Sequence, residues 1–552
     1  MYLRTTRRKN KDGSVVEYYQ LAHNTRHPET KKPVATIIHN FGRSDELDRE
    51  DLVRLCRSIA RVCGLTVTDP IAEDKSRTDL PWFTKDLKLI GTQTLGTPLV
   101  IEALWERIGI GQIFRDICRS RKLKVPYERA LFAIVANRLT DPDSKLGLWE
   151  RWLSTVYTPS CRSLKLEQIY EAMDLFYDHM SEVEKEIFFQ TANLLNLEVD
   201  LIFYDTTTAS FSTDYEDSFR AFGHSKEGNW SPQVVVALAV TREGFPVRSW
   251  VFPGNTTDVA TVKKIRDDLR GWKLGRTLFV ADSGMNSIEN KKELSRACGT
   301  YLLASRMSSV SEIRDAVLSK RGRYTIIRDN LHVKEVIAGE GERRNRYILC
   351  YNPFEAKRQK KHRAEIIAFL EKELDRHQSK KATARWAIEL LASRRYKRYL
   401  TITKSGKIRI DRNKVKESAR YDGKWVIETN DDTITLEDAA CGYKGLMVIE
   451  RCFRSMKRTQ IKMCPMYHWT PRRIEAHVKL CVLSLLIERV AEVECNDTWH
   501  RIQHALEGLQ VSEFRTNSHK FFRRNEMTPN VRNILNKLKI PTPNLVMELE
   551  KP

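Results

Sequence analysis

The sequence predicts an α/β protein: a mixed sheet with helices, interrupted by a β-rich and helical insertion, with a helical region before it and a helical tail after it. Three observations carry this. From Thr97 to about Leu197 apolar residues recur at helical spacing, in LVIEALWERIGIGQIF, YERALFAIVANRL and LEQIYEAMDLFYDHM. At Glu198 the period changes to runs of β-formers, EVDLIFYDTTTASF, QVVVALAV, FPVRSWVFPGN, GRTLFVADSG and TYLLASRM, with two helical stretches among them. After about 130 residues of mixed character the helical period returns in GYKGLMVIERCFRSMK and HWTPRRIEAHVKLCVLSLLIERV.

A chain of 552 residues is too long for one core and predicts several units. Residues 1–74 read as a β-hairpin and helix module, with strands VVEYYQLAHNTR and PVATIIHNFGR and a helix from about Asp48 to Cys63. Residues 75–198 form a helical domain, for which DNA binding and plain core packing are both open readings. Residues 199–306 and 437–494 make the sheet and its covering helices, 307–436 the insertion, and 495–552 the helical tail.

With 41% hydrophobic and 30% charged residues the chain is globular, and a net charge of +22 points to a polyanionic partner. A membrane surface is the competing polyanion. No run of eighteen apolar residues exists, and the basic first twenty residues lack the apolar core of a signal peptide, so the expectation is a cytoplasmic, nucleoid-associated protein with no membrane partner. The eleven cysteines show neither CxxC pairs nor zinc-ligand spacing and are expected to be reduced core thiols.

Within the sheet region, YDTT places Asp205 near the end of a buried strand, and LFVADSG leads a second apolar strand into Asp282. The order β-β-β-α-β-α-β, with acids at the ends of the first and fourth strands, matches the topology of an RNase H-like domain. Strands one and four are neighbours in that fold, which brings Asp205 and Asp282 together. Between the first two strands, AFGHSKEGN holds His224 and Lys226, readable either as a DNA-touching loop or as a surface turn. The insertion is basic: residues 351–420 hold 21 Lys or Arg against 8 Asp or Glu, more than half of the chain's excess charge. So lopsided a run favours a phosphate-contacting surface over a solvated face. Trp386 lies inside it and Trp425 just beyond, each able to stack on an unpaired base or to pack in a core.

From Gly442 to Lys457 a helix is predicted, and Tyr443, Leu446, Glu450 and Lys457 stack along one face of it. One acid then lies between a phenol and an ammonium, as a divalent cation on a phosphodiester requires. The alternative is an ordinary amphipathic helix burying Met447, Ile449, Phe453 and Met456. The two strand-end acids favour the first reading. Carboxylates on a strand, its neighbour and a facing helix are what a two-metal phosphoryl-transfer site needs, with oxygen ligands suited to Mg2+ or Mn2+.

At these residues the sequence resembles the DDE transposases of bacterial insertion sequences, in the group whose C-terminal signature is Tyr, two residues, Arg, three residues, Glu, six residues, Lys. Tyr443, Glu450 and Lys457 fall on the pattern, and Leu446 stands where the Arg would be. The resemblance spans roughly 200 to 490 and includes GFPVRSWVFPGNTTD. It implies that Asp205, Asp282 and Glu450 are catalytic and hold two Mg2+ or Mn2+ ions, and that Tyr443 and Lys457 contact DNA near the cleaved phosphate. Lys444, Arg451 or Arg454 would replace the missing Arg. The implied activity is cleavage at element ends and 3′-OH strand transfer into target DNA, both double-stranded, by a homodimer or larger synaptic complex. A stand-alone nuclease or resolvase, and a non-catalytic DNA-binding protein, are the alternatives.

Overall fold

Runs of β-formers at the start of the chain build a three-stranded antiparallel sheet, β1 (Tyr2–Lys9), β2 (Val15–Arg26) and β3 (Pro33–Arg43), followed by a helix over Arg49–Val62. The structure, a computed structural model, describes residues 2–550 apart from 11–14, 28–32, 45, 48, 64–86, 198, 214, 225–229, 271, 273–277, 298, 308–309, 342–343, 379–383, 405 and 517–518. Beyond the expected hairpin and helix, β1 is an additional strand, held to β2 partly by Arg7 Nε donating to Glu17 Oε1 at 2.6 Å. Residues up to Leu87 form one compact unit, and Lys88–Pro552 form another.

The second unit opens with β4 (Lys88–Thr94) and then the predicted helices, over Gly96–Arg107, Ile110–Ser120, Tyr127–Thr140 and Leu166–Leu195. Their apolar faces meet around Trp105, Phe114, Phe132 and Phe176, whose rings lie 5.5–5.8 Å apart. Burying a tryptophan requires a partner for its N–H; Trp105 Nε1 donates to Glu128 Oε1 at 2.6 Å.

Next comes the sheet. Its strands are β5 (Leu201–Ser210), β6 (Ala221–His224), β7 (Trp230–Val240), β8 (Pro246–Pro253), β9 (Leu278–Ala281), β10 (Thr300–Ser305), β11 (Thr325–Arg328), β12 (Leu331–Ala338) and β13 (Asn345–Tyr351). A small hairpin, β14 (Leu400–Ile402) with β15 (Ile408–Ile410), stands apart, and β16 (Lys424–Thr429) rejoins the sheet. The order is β11-β12-β13-β16-β10-β9-β5-β7-β6, with β8 also paired to β7. As the sequence predicts, β5 and β9 are parallel neighbours. Between β8 and β10 lie the two expected helices, Asp258–Arg270 and Ile288–Ala297.

Apart from the β14-β15 hairpin, the insertion strands extend the core sheet: β16 pairs antiparallel with β10 on one side and with β13 on the other. Its basic helices, described over Pro353–Gln378, Ala384–Ala392 and Arg394–Lys397, gather a satellite core around Ile366, Leu370, Leu390 and Tyr399.

Thr470 caps the helix Pro471–Cys495, accepting from the Arg473 N–H, and Pro471 takes the first turn, where no N–H is needed. Apolar on nearly every side, this helix is buried through the middle of the unit. The tail differs from expectation. Besides helices Trp499–Leu506 and Pro529–Lys537 it contributes β17 (Gln510–Arg515), β18 (Lys520–Arg524) and β19 (Val546–Glu550), because β17 finds β4 as a partner more than 400 residues earlier. Half of the ten described cysteines depart from the buried pattern: Cys56 and Cys63 are exposed and Cys118, Cys441 and Cys464 half-buried, while Cys161, Cys350, Cys452, Cys481 and Cys495 are buried. Among the described residues no helix is long and apolar enough to cross a membrane.

Candidate active site

Side chains alternate across a strand, and both faces of β5 are covered. Leu201 and Phe203 join the core beneath the Met447–Arg454 helix, while Ile202 and Tyr204 join the core on the opposite face. In β9, Leu278 and Val280 take the first face, Phe279 and Ala281 the second. Tyr204 is in register with Ala281. Asp205 and Asp282 are the next residues of two adjacent parallel strands, and alternation turns both toward the Met447–Arg454 side. Asp205 lies within β5 rather than near its end, because the strand runs on to Ser210 beside β7. Asp282 is exposed where β9 gives way to a 3-10 turn at Ser283–Met285.

The predicted continuous helix from Gly442 to Lys457 is broken. One helix covers Leu436–Lys444, a second Met447–Arg454, and a π-turn follows over Ser455–Thr459. The joint is tightened by bonds three residues apart, from Leu446 N–H to Tyr443 O and from Val448 N–H to Gly445 O. It falls where the backbone presses on β5: a Cβ on Gly445 would stand 2.3 Å from Cζ of Phe203, so only glycine fits. Leu446, in the place of the expected Arg, packs against the core.

Despite the break, the signature residues converge on the strands. Tyr443 Oη donates to Asp282 Oδ1 at 3.3 Å. Burial, and then the Asp282 carboxylate, push the Tyr443 phenol well above its ordinary pKa, and the Glu450 carboxylate adds to the push. Lys457 Nζ donates to Thr207 Oγ1 at 3.4 Å, two residues beyond Asp205 and on the same face of β5. Glu450 is exposed in the first turn of its helix, whose other side is buried through Ile449, Cys452 and Phe453.

The remaining candidates disperse. Arg451 and Arg454 are exposed and line a cavity of about 690 Å³ whose other walls include Arg242, Glu243 and Arg489. Lys444 Nζ lies 5.9 Å from the centre of the Trp425 ring. Trp386 packs against the satellite core of the insertion. His224 ends β6, in register with Trp230; Lys226 lies outside the described residues.

Two groups were not singled out from sequence. Glu428 of β16, a buried carboxylate, accepts from Lys291 Nζ at 2.6 Å and from Asn286 Nδ2 and Ser305 Oγ at 3.2 Å each. It thereby ties the turn that follows Asp282 to the insertion strand. A lone Glu in the apolar run KWVIETN was the available signal. Glu488, buried in the Pro471–Cys495 helix, accepts from Ser455 Oγ at 2.8 and 2.6 Å, at the start of the π-turn that carries Lys457. Burial raises its pKa to about 7.

Carboxylates are the right donors for a hard divalent cation, and Asp205 and Asp282 are side by side. Among the described residues, however, no three His, Cys, Asp or Glu side chains are gathered closely enough to hold one ion. Two cations shared among three carboxylates do not require all three at one point. Three carboxylates are chemically suited to such a pair.

Comparison with known proteins identifies the family. The family described as "Transposase DDE domain" matches residues 200–485, and "IS1634 family transposase, N-terminal domain" matches residues 3–70. No curated protein matches the chain. Among solved structures, a piggyBac transposase synaptic complex with hairpin DNA is similar at 10% identity and a TM-score of 0.34, covering 74% of this chain and 77% of that one. Enzymes with such a domain are generally dependent on divalent metals. The DDE match covers more than half of the sequence, from the strand of Asp205 through the helix of Glu450, and the chain therefore belongs to the DDE transposases of the insertion sequences.

Proposed function

We propose that Asp205, Asp282 and Glu450 are the catalytic, metal-holding acids of this transposase, set on an RNase H-like sheet, and that it cleaves the ends of a mobile element and joins them to target DNA. The observation that carries this is the convergence of Asp205, Asp282, Tyr443 and Lys457, drawn from two strands and a broken helix, on one face of the sheet.

Two Mg2+ or Mn2+ ions, when bound, supply activation of the attacking oxygen and charge stabilisation for the leaving one. The chain's own groups do the rest. Asp205 and Asp282 hold their carboxylates side by side. Tyr443 keeps its proton at neutral pH and spends it on a hydrogen bond that orients Asp282. Lys457 offers an ammonium to a phosphate oxygen beside Thr207. Water attacks first: a phosphodiester P–O bond breaks, a new one forms to the water oxygen, and a 3′-OH is freed at the element end. That hydroxyl then attacks a target phosphodiester, forming one P–O bond and releasing the target's own 3′-OH.

Double-stranded DNA, both element ends and target, is the substrate, and the excess of basic residues between 351 and 420 suits its backbone. Joining two ends at once calls for a dimer or larger synapse, working on the nucleoid in the cytoplasm. The test uses an element end labelled at its 3′ terminus, incubated with Mg2+ or Mn2+ and a second duplex. Wild type transfers the label. Asp205→Asn, Asp282→Asn and Glu450→Gln each lose at least about a hundredfold in rate, the scale of losing a metal's charge stabilisation. Near-normal transfer in any of the three sinks the assignment; cleavage without transfer makes the enzyme a nuclease instead.

A further inference from the structure

We propose that Tyr215 and Trp469 form a stacking platform for an unpaired nucleobase of the DNA strand that runs from the active site. This rests on the DNA reading above and adds a site to it.

Three large rings lie open to solvent in one region: Trp469 is 63% exposed, Tyr467 62% and Tyr215 56%. Exposed aromatic surface of this kind marks an interaction site. The Tyr215 and Trp469 rings are held, not loose. Arg220, only 3% exposed, lies with its guanidinium 4.8 Å from the Tyr215 ring centre, 5.2 Å from that of Trp469 and 5.7 Å from that of Phe211. Asp217 fixes the guanidinium in turn, accepting from Arg220 Nε at 2.9 Å and Nη2 at 2.7 Å. The two aromatic rings are 6.4 Å apart at 64°.

The charge arrangement selects the ligand. Because Asp217 neutralises Arg220, the platform presents ring faces rather than a cation, which suits a base and not a phosphate. A base inside a duplex has both faces covered by its neighbours, whereas an unpaired one is free to lay a face on an aromatic ring.

Position selects the strand. Tyr215 lies five residues beyond the end of β5, which carries Asp205 and Thr207, and Trp469 lies between the turn of Lys457 and the helix capped by Thr470. Both segments that build the active site therefore continue to the platform. Along β5, Asp205 to Phe211 covers about 20 Å at roughly 3.3 Å per residue.

The test is binding of the full chain, without divalent metal, to a blunt duplex and to the same duplex with a single-stranded 3′ tail carrying 2-aminopurine. Wild type is expected to quench the tail fluorescence and to prefer the tailed duplex. Trp469→Ala loses the quenching and about 5- to 150-fold in tailed-duplex affinity, with blunt-duplex affinity unchanged, and Trp469→Phe restores most of both. Wild-type quenching and affinity in both Trp469→Ala and Tyr215→Ala overturn the platform. Equal binding of blunt and tailed duplex by wild type does the same, and leaves the rings to a protein partner. Failure of wild type to bind either duplex strikes the DNA reading itself and takes the platform with it.

Discussion

Tyr443 donates a hydrogen bond to Asp282 from 161 residues further along the chain, across the joint between two helices and onto the end of a strand. The phenol is protonated throughout the physiological range because burial and the carboxylate itself oppose its ionisation. Tyr443→Phe keeps the ring and deletes this bond. A bond of about 1 kcal/mol is worth roughly fivefold, so the metal concentration for half-maximal cleavage should rise by about that factor. A metal titration that superimposes on wild type removes the orienting role.

Lys457 is expected to act through phosphate. Replacing it by Met should weaken element-end binding and lower the slope of log K against log salt by about 0.9, the contribution of one phosphate contact on duplex DNA. Binding measured between low and moderate salt checks this. An unchanged slope would mean that Lys457 serves Thr207 alone.

Glu428 and Lys291 are a buried and a half-buried charge 2.6 Å apart. Glu428→Ala strands the ammonium and frees Asn286 and Ser305. The expected cost is about 3–5 kcal/mol, as for breaking one side of a buried pair, read by urea denaturation. Glu428→Gln keeps acceptors for Asn286 and Ser305, and is expected to recover part of the stability with reduced cleavage, because the turn after Asp282 is then held on one side only. A loss under about 1 kcal/mol in Glu428→Ala contradicts the structural tie.

Glu488 makes stability depend on pH. Its folded pKa, about 7, stands above the ordinary 4.5 because burial disfavours the carboxylate. Between these values the folded chain retains a proton that the unfolded chain releases, so stability is full below pH 4.5, declines as pH rises toward 7, and is level above. The total decline is about 3 kcal/mol. Glu488→Gln should flatten this component of the slope and be more stable than wild type at pH 8. Equal slopes for both proteins would place the burial of Glu488 in doubt.

The strands of both Asp residues were legible because apolar runs of β-formers are a local signal; an acid in one such run is common by chance, and the reading came from the two taken together with the helix. Their adjacency followed from the order of elements alone. The break at Gly445 was missed although the glycine itself was a local signal; what the sequence did not show is the close approach of the Phe203 ring, from 242 positions earlier. The same holds for β17, whose partner β4 precedes the whole sheet, and for β16, a strand of the insertion that turned out to bridge β10 and β13. Helical spacing put Tyr443, Glu450 and Lys457 on one straight face, whereas they are carried by two helices and a π-turn. Arg451 and Arg454 share the Glu450 helix but line a cavity elsewhere, a distinction that sequence spacing alone did not draw.

The seating of β16 between β13 and β10 also sets an order in time. Strands β11 to β13 reach the rest of the sheet only through a segment made some 70 residues after them. At roughly 5–20 residues per second, a ribosome that has just added Asp282 needs on the order of ten seconds or more to reach Glu450. During that interval the growing chain holds two of its acids and, increasingly, its basic helices. On the proposed assignment of the acids, the site would therefore be completed only after the basic helices of the insertion have been made.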